Sequence, residues 1–265
     1  MRFVSIASGS SGNCTYVGTD NTHLLIDAGI SCKRIDTAMQ QLGIKSDELD
    51  GVLITHEHID HISGLRVFSK KHHVPIYGTK ETLEAIECID TKKEIDPYLY
   101  HPVSTDQKLA IGDFCITPFS NSHDAANPVG YRAEANGHAI GVATDLGIYS
   151  SYTVNHLLGL DAILLEANHD VHMLEAGPYP FQLKRRILGR KGHLSNETAG
   201  QLLNELLHDK MKHIVLGHLS KENNYAELAY ETVCCEVNMG ATPYNSGDFP
   251  ITVAKRDTMS EVIYI

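Results

Sequence analysis

The chain lacks several features, and each absence excludes a class of protein. No apolar run approaches the ~18–20 residues that a helix needs to cross a bilayer. The six cysteines (14, 32, 88, 115, 234 and 235) form no CxxC pair. Neither a disulfide framework nor a cysteine-based zinc site is therefore expected, and scattered thiols fit a reducing, cytoplasmic compartment. The vicinal Cys234 and Cys235 read as buried helix residues. No repeat, low-complexity tract or Pro/Gly/Ser-rich linker divides the chain, so a single domain over residues 1–265 is expected. Met1-Arg2-Phe3-Val4-Ser5 leads straight into strand-like sequence, without the apolar core of a secretory signal. Positive charge is scarce too. Twenty-two Lys and Arg stand against 33 Asp and Glu, a net charge of −11. Any nucleic-acid binding must then come from a local basic patch and not from a global field.

Histidine, by contrast, occurs 16 times. A chain rich in His, Asp and Glu is a better candidate for a metalloprotein than for a DNA-coating protein. With 42% hydrophobic and 21% charged residues it has the composition of a globular protein, long enough to bury a full core.

Patterning predicts short strands first: Arg2–Ala7, then a Ser8-Gly9-Ser10-Ser11-Gly12-Asn13 turn, then Cys14–Gly18 and His23–Asp27. Ser31 to Leu42 has helical spacing, with Ser31 as N-cap and Gly43 as stop. A buried strand over Gly51–Thr55 precedes a helix whose apolar face is Ile62, Leu65, Val67 and Phe68. Strand Val74–Tyr77 and helix Glu81–Ile89 follow. The middle reads as β-rich: Tyr98–His101, Lys108–Pro118, and a hairpin of Val129–Ala135 and His138–Thr144 around Asn136-Gly137. Later strands are expected at Asp161–Glu166, His213–Leu216, Ile251–Ala254 and Val262–Ile265. Helices are expected at Phe181–Leu188, Ser195–Leu207 and Tyr225–Val237. Packed sheets with helices outside would bury this pattern, an α/β arrangement.

Chemistry concentrates in Thr55-His56-Glu57-His58-Ile59-Asp60-His61, directly after the Gly51–Thr55 strand. In extended chain His56 and His58 point the same way, because side chains alternate with period two. Asp60 and His61 stand at the turn into the next helix and can aim at a second, neighbouring point. Two imidazoles followed by a carboxylate–imidazole pair suit two adjacent zinc-like ions.

This HxHxDH pattern resembles that of the metallo-β-lactamase superfamily, over most of the chain. The resemblance implies a four-layer αββα sandwich of two mixed sheets with outer helices. It also implies further ligands at downstream strand ends, which occur here in order. His123 lies in Asn121-Ser122-His123-Asp124, Asp145 in Ala143-Thr144-Asp145-Leu146-Gly147, and His218 in Val215-Leu216-Gly217-His218-Leu219-Ser220. The implied first metal site is His56, His58, His123 and Asp145. The second is Asp60, His61, Asp145 and His218, with Asp145 bridging. Asp27, in Leu24-Leu25-Ile26-Asp27-Ala28-Gly29, matches a carboxylate that orients the ligand loop without binding metal. Two divalent ions per chain are expected, zinc, manganese or iron.

An Asp at the bridging position is typical of members that hydrolyse phosphodiesters or thioesters. Glu166, followed by the His-x-Ser of His193-Leu194-Ser195, is similar to the nuclease branches. There the extra histidine acts at the scissile phosphate with an acidic partner, which implies catalytic roles for His193 and Glu166 beside Asp60. Five of the chain's basic residues fall within 184–191, and Lys184, Arg185 and Arg186 form the expected phosphate track. Backbone groups at Ser10, Ser11 and Asn13 are a further candidate phosphate contact. The opening Phe3–Cys14 segment, the HxHxDH motif and Leu216–Asn224 together closely resemble the bacterial YycJ/WalJ family. That resemblance implies a cytoplasmic, metal-dependent 5′-to-3′ DNA exonuclease linked to DNA repair. The interval 145–218 leaves no room for a β-CASP insert. DNA or RNA backbone is the expected partner, with no membrane; oligomeric state is left open. Two other readings stand beside this one: a small-molecule ester, thioester or cyclic phosphodiester hydrolase of the same fold, and a non-catalytic metal-binding regulatory protein.

Overall fold

A computed structural model describes residues 1–265. The fold is mixed α/β, with two mixed sheets of seven strands and flanking helices. It comprises two compact units. The first is Met1–Ser120 with Ala125–Gly137 and Lys255–Ile265; the second is Asn121–Asp124 with His138–Ala254. No helix is long and apolar enough to cross a membrane.

The first unit begins with β1 (Arg2–Ala7), β2 (Cys14–Gly18), β3 (His23–Ile26), α1 (Cys32–Gln41) and β4 (Gly51–Leu53). It continues with α2 (Ile59–Ile62), α3 (Leu65–His72), β5 (Ile76–Thr79), α4 (Lys80–Ile89) and β6 (Tyr100–Val103). Three antiparallel strands, β7 (Leu109–Ile111), β8 (Phe114–Ser120) and β9 (Val129–Ala135), follow. The second unit holds β10 (His138–Ala143), α5 (Ser151–Leu157), β11 (Ala162–Glu166), α6 (Val171–Ala176) and α7 (Phe181–Ile187). It ends with α8 (Asn196–Leu206), β12 (His213–Gly217), α9 (Ala226–Met239) and β13 (Ile251–Val253). The last strand, β14 (Ile263–Tyr264), returns to the first unit and pairs with β1.

In the first unit the sheet order is β14-β1-β2-β3-β4-β5-β6. Its strands β1 to β3 pair antiparallel and β3 to β6 parallel. Strands β2 and β4 are buried at every residue, as expected of strands covered on both faces. Tyr131 on β9, fully buried, donates its hydroxyl to Ile54 O at 2.8 Å, so β9 lies across the end of β4. In the second unit β10, β11, β12 and β13 run parallel, which places the loops after β10, β11 and β12 at one end.

Local signals explain most elements. Ser31 caps α1 by accepting from Arg34 N, and Gly43 takes the left-handed φ of 74° that ends the helix. Three expectations need correction. Val67 is 49% exposed, because α3 turns only Leu65, Phe68 and Ser69 into the core. The single strand expected over Lys108–Pro118 is a hairpin: Gly112, at φ 52°, turns the chain between β7 and β8. Of the vicinal cysteines Cys234 is buried and Cys235 exposed, since adjacent positions on a helix face different ways.

Candidate functional site

In the first unit, the loop after β4 carries His56, His58, Asp60 and His61. His58 is the N-cap residue of α2, which places Asp60 and His61 in that helix's first turn. The three imidazoles converge. The rings of His56 and His58 meet edge-on with centroids 4.5 Å apart, and those of His56 and His61 lie 4.1 Å apart. His61 Nε2 is 3.6 Å from Asp60 Oδ2. His56 and His61 are buried, while His58 and Asp60 are half-buried.

Asp27 organises this cluster from beneath. It is buried, and its backbone is left-handed at φ 63°. Its Oδ1 accepts from Thr55 N at 2.8 Å, and its Oδ2 accepts from His61 Nδ1 at 2.7 Å. The Thr55 hydroxyl lies 2.9 Å from Oδ2 and 3.0 Å from His56 Nδ1. A hydroxyl that donates to the carboxylate can accept from His56. The network therefore assigns a proton to Nδ1 of both imidazoles and makes Nε2 of each the accepting nitrogen, the tautomer that metal binding requires. Asn13 closes the loop from another side. Its N–H donates to Asp60 O at 2.8 Å, its side-chain Nδ2 is 3.0 Å from His61 Nε2, and its Oδ1 accepts from Gly9 N at 2.9 Å. Of the three turn residues read as a phosphate contact, Asn13 is thus buried against the ligand loop, and Ser10 and Ser11 are exposed. Gly29 is required for this approach, because a Cβ there would strike Asp60 O.

In the second unit a cluster forms from three strand-end loops and the segment before α8. Asp145, Glu166, His193 and His218 bring one ligand atom each to within 4.8 Å of one another. Glu166 is fully buried at the end of β11. Its Oε1 accepts from Nδ1 of His193 at 2.8 Å and of His218 at 2.9 Å. Its Oε2 accepts from the N–H groups of Leu146 and Leu194 at 2.9 and 3.1 Å. Burial alone would push this carboxyl up. The His193 charge and the His193 and His218 hydrogen bonds outweigh it and hold Glu166 below the usual carboxylate range. Donation of Nδ1–H to Glu166 again leaves Nε2 of each imidazole as the outward atom.

His123 is buried, with Nδ1 donating to Gly192 O at 3.0 Å and Nε2 3.7 Å from Asp145 Oδ1. Burial, reinforced by His193, lowers its pKa against the opposing pull of Asp145 and Glu166, so the ring favours the neutral form a metal requires. The Asp145 carboxylate and the His123 and His218 imidazoles, their Nδ1 protons held by Gly192 O and Glu166, are donors that fit a divalent ion such as zinc or manganese. The chemistry of this set, and of the imidazole–carboxylate group in the first unit, is compatible with the metals implied by the sequence.

Several supporting residues are not among the candidate site residues read from sequence. Asn168 donates to His218 O at 2.8 Å, and Asn224 donates to Ala167 O at 2.9 Å and to Asn196 Oδ1 at 2.8 Å. These buried amides tie the loops after β11 and β12 to the start of α8. Their local sequence signal is asparagine placed just after a strand end or before a helix, and Asn224 also closes the Leu216–Asn224 segment. His169 is 1% exposed, and neither ring nitrogen has a hydrogen-bond partner. Burial, with a further push from His193, lowers its pKa to about 4 against Glu166 and Asp170, so it is neutral at pH 7.

The basic track divides. Lys184 Nζ donates to Glu175 O and Gly177 O, both at 2.7 Å. Arg186 pairs with Asp124 through Nε at 2.5 Å and Nη2 at 3.0 Å. Arg185 alone of the three lies over an aromatic ring, that of Phe181.

A family model described as a beta-lactamase superfamily domain matches residues 22–218. Exodeoxyribonuclease YycJ of Bacillus anthracis is 39% identical over 241 residues, covering 88% of this chain and 88% of its own. Exodeoxyribonuclease WalJ of Streptococcus pneumoniae is 39% identical over 233 residues, covering 88% of this chain and 87% of its own. Among solved structures, Zn(2+)-bound PqqB from Methylobacterium extorquens superimposes with a TM-score of 0.73 at 17% identity, covering 98% of this chain and 100% of that one. The metallo-beta-lactamase fold protein YhfI from Bacillus subtilis gives 0.70 at 18% identity, with 98% and 100% covered. These two structures speak for the fold.

Proposed function

Because the chain belongs to the beta-lactamase superfamily, and within it to the family of the exodeoxyribonucleases YycJ and WalJ, we propose that it is a metal-dependent nuclease that removes nucleotides from the 5′ end of DNA. We place its work in cytoplasmic DNA repair on the same resemblance. Two divalent ions per chain would be held by residues drawn from His56, His58, Asp60, His61, His123, Asp145 and His218. Bound there, the metals would supply a nucleophile at neutral pH and neutralise charge on the phosphate.

One observation supports a phosphodiester substrate most directly: Glu166 Oε1 accepts from both His193 and His218, at 2.8 and 2.9 Å. His218 belongs to the proposed ligand set and His193 does not. A single buried carboxylate thus orients a metal ligand and an additional imidazole side by side. The His193 side chain is 15% exposed, so a substrate can reach it. Held with Nδ1–H on Glu166, the ring can take a second proton on Nε2, and as an imidazolium paired with that carboxylate it can give the Nε2 proton to a leaving 3′-oxygen. Glu166 then stabilises the ring in whichever charge state it holds. Asp60, half-buried beside His61, would orient water as well as bind metal.

The test is a degradation time course on duplex DNA labelled separately at its 5′ and 3′ ends, with added manganese or zinc and an Asp145→Ala control. Early release of 5′-terminal mononucleotide, absent in the control, is expected. Intact DNA in the presence of a protein shown to hold its metals would overturn the proposal and favour a small-molecule ester.

A further inference from the structure

The surface of α7 carries a feature that the proposed chemistry does not use. Phe181, at the first position of this helix, is 73% exposed. The Arg185 guanidinium sits over its ring, 5.9 Å from the centroid. The two are one helical turn apart, the spacing at which side chains stack on one face. Leu188, the next residue on that face, is 45% exposed. Single exposed aromatics are ordinary on a protein surface, but this one is paired with a cation within a basic stretch of an acidic chain.

The helix beneath is firmly held. Ile187 is buried, Lys184 is anchored on two carbonyls and Arg186 on Asp124. His193 N donates to Ile187 O at 3.0 Å, which fixes the C-terminal end of α7 to the residue that carries the extra imidazole. Lys184 and Arg186 thus hold the helix as well as contributing to its basic charge. What the helix presents outward is a flat aromatic and a flat guanidinium. Those are the groups on which nucleobases stack without regard to sequence, and Arg adds attraction to a π face.

We propose that the exposed face of α7, formed by Phe181 and Arg185, is a stacking platform for the unpaired bases of a single-stranded DNA end. The proposal rests on the nuclease reading and narrows it: the chain would grip its substrate by bases as well as by phosphates. Charge favours this occupant, since residues 184–191 hold five basic side chains in a chain of net charge −11.

The test is fluorescence anisotropy of the metal-loaded protein with a labelled single-stranded oligonucleotide. Phosphorothioate linkages slow its cleavage, and a matched strand is abasic over its terminal four nucleotides. Phe181→Ala should weaken binding of the base-bearing strand by about 5- to 150-fold, the usual range for one base–aromatic stack. It should bind the abasic strand as the wild type does, and Phe181→Tyr should restore the preference for bases. Equal loss on both strands would mark a structural role and overturn the platform. So would unchanged DNA binding accompanied by loss of a concentration-dependent dimer in sedimentation, which would give the face to a second copy. A wild type that cleaves DNA but binds both strands equally refutes the platform alone. A wild type that neither cleaves nor binds DNA refutes the nuclease reading with it.

Discussion

Asp27 offers the sharpest test of how the first unit prepares its ligands. Its carboxylate accepts from Thr55 N, Thr55 Oγ1 and His61 Nδ1 at 2.7–2.9 Å, all in the interior. Asp27→Asn keeps the shape and suits the left-handed backbone at φ 63°, where Asn is well tolerated. It replaces one acceptor oxygen by an NH2. If that NH2 faces His61 Nδ1, two donors meet and the ring must move its proton to Nε2, which removes the lone pair a metal needs. If it faces Thr55 N instead, a buried backbone donor is left unpaired. The first arrangement should cost about 10- to 100-fold in metal affinity, the usual effect of losing a partner behind a ligand histidine. The second should cost about 1–3 kcal/mol of stability. Asp27→Ala strands all these donors and strains the backbone, for roughly 3–5 kcal/mol. Competition with a chromophoric chelator measures the first quantity, and urea unfolding of the chelated protein measures the second. An Asn variant with wild-type metal affinity and wild-type stability would refute the argument that Asp27 sets the His61 tautomer.

Two further substitutions probe the second unit. His193→Ala should keep the metal content of the wild type and slow turnover about 100- to 10,000-fold, the range for removing a general acid. Metal analysis beside single-turnover rates decides this, and loss of metal would instead make His193 a ligand. Asp161→Ala removes a carboxylate that accepts from Ala139 N at 2.9 Å and His138 Nδ1 at 3.0 Å and lies 3.5 Å from Lys212 Nζ. Burial would raise this carboxyl, but the Ala139 and His138 hydrogen bonds and the charges of His138 and Lys212 hold it below its ordinary value. A depressed folded pKa contributes stability above the unfolded value, about 3.9, and loses it as pH falls through the folded one. The variant should therefore be about 1–2 kcal/mol less stable at pH 7, with the gap narrowing below about pH 4. Urea titrations at pH 7 and pH 3 measure it. A gap of constant size would assign the loss to packing.

The elements that could be read from sequence are those whose signal is local. Ser31 and Gly43 bracket α1, and both perform the expected capping and stopping. Strand β4 is apolar throughout and is buried on both faces. Helices α5 and α6 were not anticipated, because Ser151–Leu157 and Val171–Ala176 are too short to display an apolar period. The β7–β8 hairpin was concealed for a different reason. Its Gly112 turn is secured by Asp113 N donating to Thr22 Oγ1, a partner 91 positions away. The basic stretch is a similar case. Charge was legible at Lys184, Arg185 and Arg186, but the fate of Arg186 depends on Asp124, 62 positions earlier, which only the fold brings near.

Backbone conformation adds what side-chain motifs could not. Seven non-glycine residues have positive φ. Four of them, His73, Lys93, Asp106 and Asn136, stand at a helix end or in turns, where single left-handed residues are routine. The other three are Asp27 at 63°, Asp145 at 57° and His218 at 56°. Each lies one or two residues beyond a strand end, after β3, β10 and β12. Glycine would relieve the strain at all three, which is about 1–2 kcal/mol for an ordinary residue and less for Asp. It would also delete the carboxylate or imidazole. The left-handed step bends the chain sharply out of the strand, so the next peptide no longer continues the ladder. At Asp145 and His218 it belongs to the turn that sets both side chains against Glu166 and His193. Strain retained at three strand ends, each with a polar side chain that a glycine could not supply, separates these residues from the ordinary turn positions. Histidine gains least from local hydrogen bonding in this conformation, so His218 is the position where the demand for the side chain most clearly outweighs the preference of the backbone.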